Sequence, residues 1–227
     1  MKSSIRIAAA VAASVPLLAL ASGPATAASR SAGMLSQGGG SGATRIVVLR
    51  PVNAAGVTAP GWTIDRSHAN ESADGCAGPS PHTVSAGVYD CGASALAGDA
   101  CWPTAGSSDI LCLTDPFSTR LTMYRTGGPI ADKPMPANPT PIALELDNGL
   151  QCRARVGGSW GRPAAHPDYF GYYSCPMRGN DFVAVWGPSG TSQGITKGVD
   201  GWTVQVGDAN GPLSTHTVAA ASFVGAA

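Results

Sequence analysis

The chain has 227 residues, only 12% of them charged, and its 14 basic residues balance its 14 acidic ones. That balance carries no electrostatic footprint for nucleic acid or for an anionic membrane surface, so neither is expected as a partner. Thirty glycines and 18 prolines suit short strands joined by many turns and suit long helices poorly.

In chain order, Lys2 and Arg6 give a short positive start, Ile7 to Leu20 is uncharged, and Ala25-Thr26-Ala27 is a small-x-small site. Residues 1–27 therefore read as a secretory signal peptide. The apolar run is about 14 residues, short of the ~20 that a bilayer span requires, so no membrane span is expected in the mature chain. Arg6 stands alone, which gives a twin-arginine route no support, and the first cysteine, Cys76, is too distant for a lipoprotein anchor. A secreted, extracellular location follows as the expectation. Residues 28–44 are rich in Gly, Ser and Ala and read as a flexible leader. Residues 45–227 are expected to form a single β-rich domain.

Strands are expected over Arg45–Arg50, Val84–Tyr89, Ile110–Thr114, Arg120–Arg125, Ile142–Leu146, Leu150–Val156, Tyr169–Ser174, Phe182–Trp186, Trp202–Val206 and Thr215–Val224. These runs are enriched in β-branched and aromatic residues and bounded by Gly, Pro, Asn or Asp. Leu146-Asp147-Asn148-Gly149-Leu150 predicts a hairpin, with Asn-Gly supplying the positive φ angles of a tight turn. Ser67–Ala73, with Ser67 as N-cap, and Ala93–Ala97 each read as one or two helical turns. Residues 127–141 carry five prolines and read as an extended connector. The fold class expected is mostly β: short antiparallel strands in a disulfide-stapled, sandwich-like or partly open barrel domain.

The six cysteines are Cys76, Cys91, Cys101, Cys112, Cys152 and Cys175. An even number in an exported chain predicts three disulfides, and six cysteines allow 15 pairings. Nearest-neighbour pairing is expected, Cys76–Cys91, Cys101–Cys112 and Cys152–Cys175, each bridge closing a local loop. No C-x-x-C knuckle is present, so zinc is set aside and no metal or other cofactor is expected.

Several stretches carry a family resemblance. They are Asp99-Ala100-Cys101-Trp102-Pro103, Leu111 to Phe117, Leu144 to Arg153, Gly157 to Gly161, Tyr172-Tyr173-Ser174-Cys175 and Ser222 to Ala226. Together, over roughly residues 88–227, they resemble a family of small exported cysteine-containing proteins of actinomycete-type bacteria. The resemblance implies export and a cysteine framework; it brings no activity, ligand or catalytic residue.

Three groups invite a catalytic reading and a fourth a metal-binding one. Gly157-Gly158-Ser159-Trp160-Gly161 matches G-x-S-x-G, but a nucleophile elbow needs a helix directly after Ser159, and Pro163 and Pro167 oppose one. His166 and Asp168 place an imidazole and a carboxylate in one loop, the ingredients of a general base. His68 lies beside Asp65 and Ser67, although triad members normally meet from distant segments. Asp208 to Gly211 reads as a turn more simply than as a calcium ligand set. For binding, Tyr169-Phe170-Gly171-Tyr172-Tyr173 is the densest aromatic run. Strand alternation puts Tyr169 and Tyr173 on one face and Phe170 and Tyr172 on the other. Trp102 and Trp160, in turn-rich loops, are the other candidate exposed aromatics.

The function expected is a non-enzymatic binding or cell-surface accessory protein, whose partner is a cell-wall polymer or another exported protein. A secreted hydrolase of unrecognised type and a protease-inhibitor-like module are the alternatives.

Overall fold

The computed structural model describes residues 42–227 apart from 74, 92–97, 129, 132, 156, 158–159, 177–181 and 191–192. The expected signal peptide, nearly all of the leader, Ser159 and the stretch Ala93–Ala97 therefore lie outside the described residues. The chain lays down β1 (Arg45–Leu49) and then seven short strands: β2 (Thr63–Asp65), β3 (Ser72–Ala73), β4 (Gly78–Pro79), β5 (Tyr89–Asp90), β6 (Cys101–Pro103), β7 (Asp109–Cys112) and β8 (Arg120–Thr126). Seven more follow: β9 (Ala143–Leu146), β10 (Gln151–Ala154), β11 (Tyr169–Pro176), β12 (Phe182–Pro188), β13 (Ile195–Gly198), β14 (Gly201–Gly207) and β15 (Ser214–Val224). The described residues contain no helix.

The second group closes on itself. Strands β9, β10, β11, β12, β14 and β15 pair antiparallel in a six-strand ring, with β13 beside β14 and β1 parallel to β15. Of the two architectures expected, the larger sheet takes the barrel form, and it is closed rather than partly open. The cause is the length of β15. Its Ser214–Val218 half pairs with β14, its Val218–Ser222 half pairs with β9 on the opposite edge, and a register shift between Val218 and Ala220 bends the strand between them. Leu144, Leu146, Tyr173, Val185, Val204 and Val206 fill the interior. Along β9, Leu144 and Leu146 point inward while Ala143 faces the second sheet, as a period of two requires.

That second sheet has the order β2-β8-β7-β6-β5-β4, and β3 also joins β8. Both of its faces are covered. Trp102, Leu111, Leu121 and Met123 pack with Ile142, Ala143 and Val224 from the outer wall of the barrel. The opposite face gathers Ile110, Tyr124 and four cysteines. The bridges are Cys76–Cys91, Cys101–Cys112 and Cys152–Cys175, the nearest-neighbour set. Cys101 stands directly across the ladder from Cys112.

Several local expectations change. Ser67–Ala73 forms no helix: the Asp65 carboxylate accepts the Ser67 N–H, two turns follow, and the segment ends in β3. Of Val84–Tyr89 only Tyr89 reaches a strand, because residues 84–87 turn. The hairpin at Leu146–Leu150 is present, but Asn148 keeps a negative φ and only Gly149 is left-handed, at 80°. The Gly149 N–H closes the turn on the Leu146 carbonyl, the three-residue bulged loop that needs one positive φ instead of two. In β11 a register shift between Gly171 and Tyr173 breaks the expected alternation, so that both Tyr172 and Tyr173 are buried.

Candidate functional site

The barrel and the second sheet meet along a cleft of about 510 Å³ at the end of β10. Its walls come from four places: the loop between β4 and β5 (His82), the loop before β6 (Asp99), the segment before β9 (Thr140), and β10–β11 (Arg155, Phe170, Tyr172).

The polar wall is a hydrogen-bonded chain. His82 Nδ1 lies 3.0 Å from the Thr140 carbonyl oxygen and 3.2 Å from the Thr140 hydroxyl, and Nε2 donates to Asp99 Oδ2 at 3.1 Å. Asp99 Oδ1 accepts from the Arg153 guanidinium at 3.2 Å. Arg153 sits on β10 of the barrel, so the Asp99 carboxylate ties the two sheets together. Burial alone would raise the Asp99 carboxyl; the His82 hydrogen bond, with the charges of His82 and Arg153, outweighs burial and holds it below the ordinary value of 3.8. The buried Nε of Arg153 has no hydrogen-bond partner among the described residues, a cost that the Asp99 contact offsets.

The aromatic wall is built around Arg155. Its guanidinium carbon lies 4.3 Å from the Phe170 ring centroid and 4.9 Å from that of Trp160. Arg155 Nε also donates to the Gly157 carbonyl at 3.1 Å. Phe170 meets Tyr172 edge-on at 5.3 Å, and the Tyr172 hydroxyl donates to the Pro188 carbonyl at 2.8 Å. Phe170 itself stays 40% exposed. Trp160 can lie flat on the barrel only because Gly171 is beneath it: a Cβ at Gly171 would stand 2.7 Å from the Trp160 ring and 3.2 Å from the Trp186 ring.

The sequence candidates fare differently from one another. Trp102 is 1% exposed and donates its indole N–H to the Gly225 carbonyl at 3.2 Å; as a central residue of β6 it is core, not a binding aromatic. Tyr173 is also 1% exposed, with its hydroxyl on the Pro141 carbonyl at 2.9 Å, because the bulge turns its ring inward. Burial pushes that phenol well above its usual range. Trp160 is half-buried and braces the cleft. Tyr169 faces a second hollow, of about 410 Å³, on the outer wall beside Trp186 and β13–β14. His166 stacks on Tyr169 with ring centroids 4.4 Å apart, while Asp168 projects into solvent and forms no hydrogen bond with His166. Two successive turns, His166 N–H to Pro163 and Tyr169 N–H to His166, separate them. His68 pairs with Glu71 at 3.0 Å on an exposed turn, and no described nucleophile reaches it. Residues 160–168 form turns and no helix, so the elbow requirement after Ser159 is unmet. The Asp208 carboxylate accepts the N–H groups of Asn210 and Gly211, a turn. No group of three or more metal-ligating side chains occurs among the described residues, and they contain no helix long and apolar enough to cross a membrane.

The residues sequence reasoning missed are His82, Asp99, Thr140 and Arg155. They lie far apart in the chain and fit no short motif; Phe170 was in view only as the second face of an aromatic run. Comparison with protein-family models, with curated proteins and with solved structures finds no match.

Proposed function

We propose that this chain is an exported, disulfide-stabilised binding protein whose ligand is a polysaccharide of the cell surface, held in the cleft between the barrel and the second sheet. The observation that carries this reading is the pairing of walls: an exposed aromatic ring, Phe170, faces a side made of carboxylate, imidazole and hydroxyl groups. A sugar ring has the same division. Its C–H face stacks on an aromatic surface, and its hydroxyls need donors and acceptors at fixed positions. Export is supported by the amino-terminal pattern of residues 1–27 and by three disulfides with no free cysteine, which persist in oxidising compartments.

The test is co-sedimentation of the mature protein, residues 28–227, with purified cell-wall polysaccharide of a Gram-positive bacterium. Retention of the wild type that falls at least tenfold in Phe170→Ala, with an unchanged melting temperature, is the expected result; tenfold corresponds to about 1.4 kcal/mol. Absence of wild-type retention, or equal retention of both proteins, overturns the reading.

A further inference from the structure

At the opposite end of β10 from the cleft, three side chains come together that no short motif links. Ser214 and His216 alternate on β15 and so project on the same side of the strand, the face they share with their cross-strand partners Val206 and Val204, which line the barrel interior. Ser214 Oγ is 3.0 Å from His216 Nε2. His216 Nδ1 is 2.9 Å from Asp147 Oδ1. Asp147 arrives from the β9–β10 hairpin, 69 positions earlier in the chain.

The order of atoms is the one that nucleophilic catalysis needs. With the proton on Nδ1, His216 donates to the carboxylate and leaves Nε2 facing the hydroxyl. Asp147 is fixed independently. Its Oδ2 accepts the Thr217 N–H at 3.0 Å, and its own N–H donates to the Thr217 carbonyl at 2.9 Å. These two bonds already fasten the hairpin to β15, so fastening does not account for the chain running on through His216 to a hydroxyl. Burial would raise the Asp147 carboxyl, but the Thr217 N–H and the His216 ring outweigh it and keep it low, hence ionised at neutral pH. Ser214 is exposed and open to an incoming molecule. Its hydroxyl has one competing acceptor, the Val206 carbonyl at 3.2 Å, slightly farther than the imidazole.

We propose that Ser214, His216 and Asp147 form a nucleophilic site that hydrolyses small carboxylic esters with good leaving groups. Ser214 Oγ bonds to the ester carbonyl carbon while its proton passes to His216 Nε2. The tetrahedral species then expels the alkoxide, which takes that proton, and leaves an acyl ester on Ser214. Water attacks this ester and gives its proton to His216, which returns it to Ser214. The products are one carboxylic acid and one alcohol. Asp147 is a positioning residue that holds the imidazole and balances its charge. The open setting selects activated esters over amides, whose cleavage demands a dry pocket around the developing oxyanion. This site is independent of the cleft, which lies at the other end of β10.

The experiment uses the mature protein and a fluorophosphonate probe, which transfers its phosphonyl group to an activated serine with loss of fluoride. Peptide mass mapping locates the adduct, and 4-nitrophenyl acetate turnover is followed in parallel. Labelling at Ser214 is expected, with none in Ser214→Ala. Labelling and turnover are expected to fall at least 100-fold in His216→Gln and in Asp147→Asn, with melting temperatures recorded for each. Asp147→Asn retains the carbonyl oxygen that accepts the Thr217 N–H, so it separates loss of activity from loss of fold. No adduct, an adduct on another serine, or labelling indifferent to His216 overturns the proposal.

Discussion

The barrel and the second sheet solve the same problem in different ways. Every barrel strand has a partner on both edges, and its longest member, β15, runs for 11 residues. The second sheet is open, three of its strands are two residues long, and β5 meets β6 through a single residue pair, Tyr89 and Cys101. Two of the three disulfides are found there. Where the backbone ladder is too short to hold its own edge, covalent links and a shared apolar layer against β9 and β15 do so; where the ladder closes, one link is enough. The difference teaches that the disulfides are distributed by need of the ladder and not by loop length.

The largest effect tests that statement directly. Chain entropy ranks the Cys152–Cys175 bridge, with a separation of 23, above Cys101–Cys112, with a separation of 11, although each contributes about 3 kcal/mol in that model. The structure predicts the reverse order. Cys152 lies on a strand held by β9 and β11, whereas Cys101 lies on one held on one side by a single pair. Double replacement of Cys101 and Cys112 by Ala is therefore expected to lower the urea midpoint more than double replacement of Cys152 and Cys175. The opposite ranking would break the comparison and restore loop length as the controlling factor.

The same contrast explains what was legible in the sequence. Every strand of the barrel ring was legible from its own composition, because a long run with period-two burial announces itself, whereas β13, beside the ring, was not. In the second sheet β2, β3, β4 and β6 were missed. Strands of two or three residues carry no periodicity, and Cys101-Trp102-Pro103 reads as a loop until β7 pairs with it. The disulfide pairing was legible because each bridge is local. The cleft was not: His82, Asp99, Thr140 and Arg155 are brought together by the packing of sheet on barrel, and no spacing encodes that. The triad-like Ser214, His216 and Asp147 escaped for a related reason. The hairpin turn was foreseen, but a turn with one left-handed residue aims the Asp147 carboxylate in a direction that sequence does not state.

A mid-sized effect probes the barrel where it has no cross-link. The outer wall under Trp160 depends on a missing side chain. Gly171→Ala would bring a methyl to 2.7 Å from one indole and 3.2 Å from the other, so Trp160 must lift. Overpacking of this kind costs about 1–3 kcal/mol. A lower melting temperature with a shift in tryptophan emission is expected. An unchanged melting temperature would mean that Trp160 is not seated on Gly171.

The smallest effect concerns the joint between the two regions. Asp99, carried by the second sheet, is bonded to His82 of the same region and to Arg153 of the barrel. Its carboxyl is held below 3.8 in the fold, so the unfolded chain binds the proton more tightly. The stabilisation from Asp99 is then fully present above about pH 4 and is lost as pH falls through the lower native value. Asp65 and Asp147 are lowered as well, so Asp99→Asn should flatten the acid limb of the stability curve without abolishing it. The same substitution should weaken the protein at pH 7, because Arg153 loses its counter-charge. Chemical denaturation at pH 3, 5 and 7 reads both effects. Parallel acid limbs for the two proteins would show that Asp99 does not clamp the sheet to the barrel, and the apolar layer of Trp102, Ile142 and Val224 would then be what holds the two regions together.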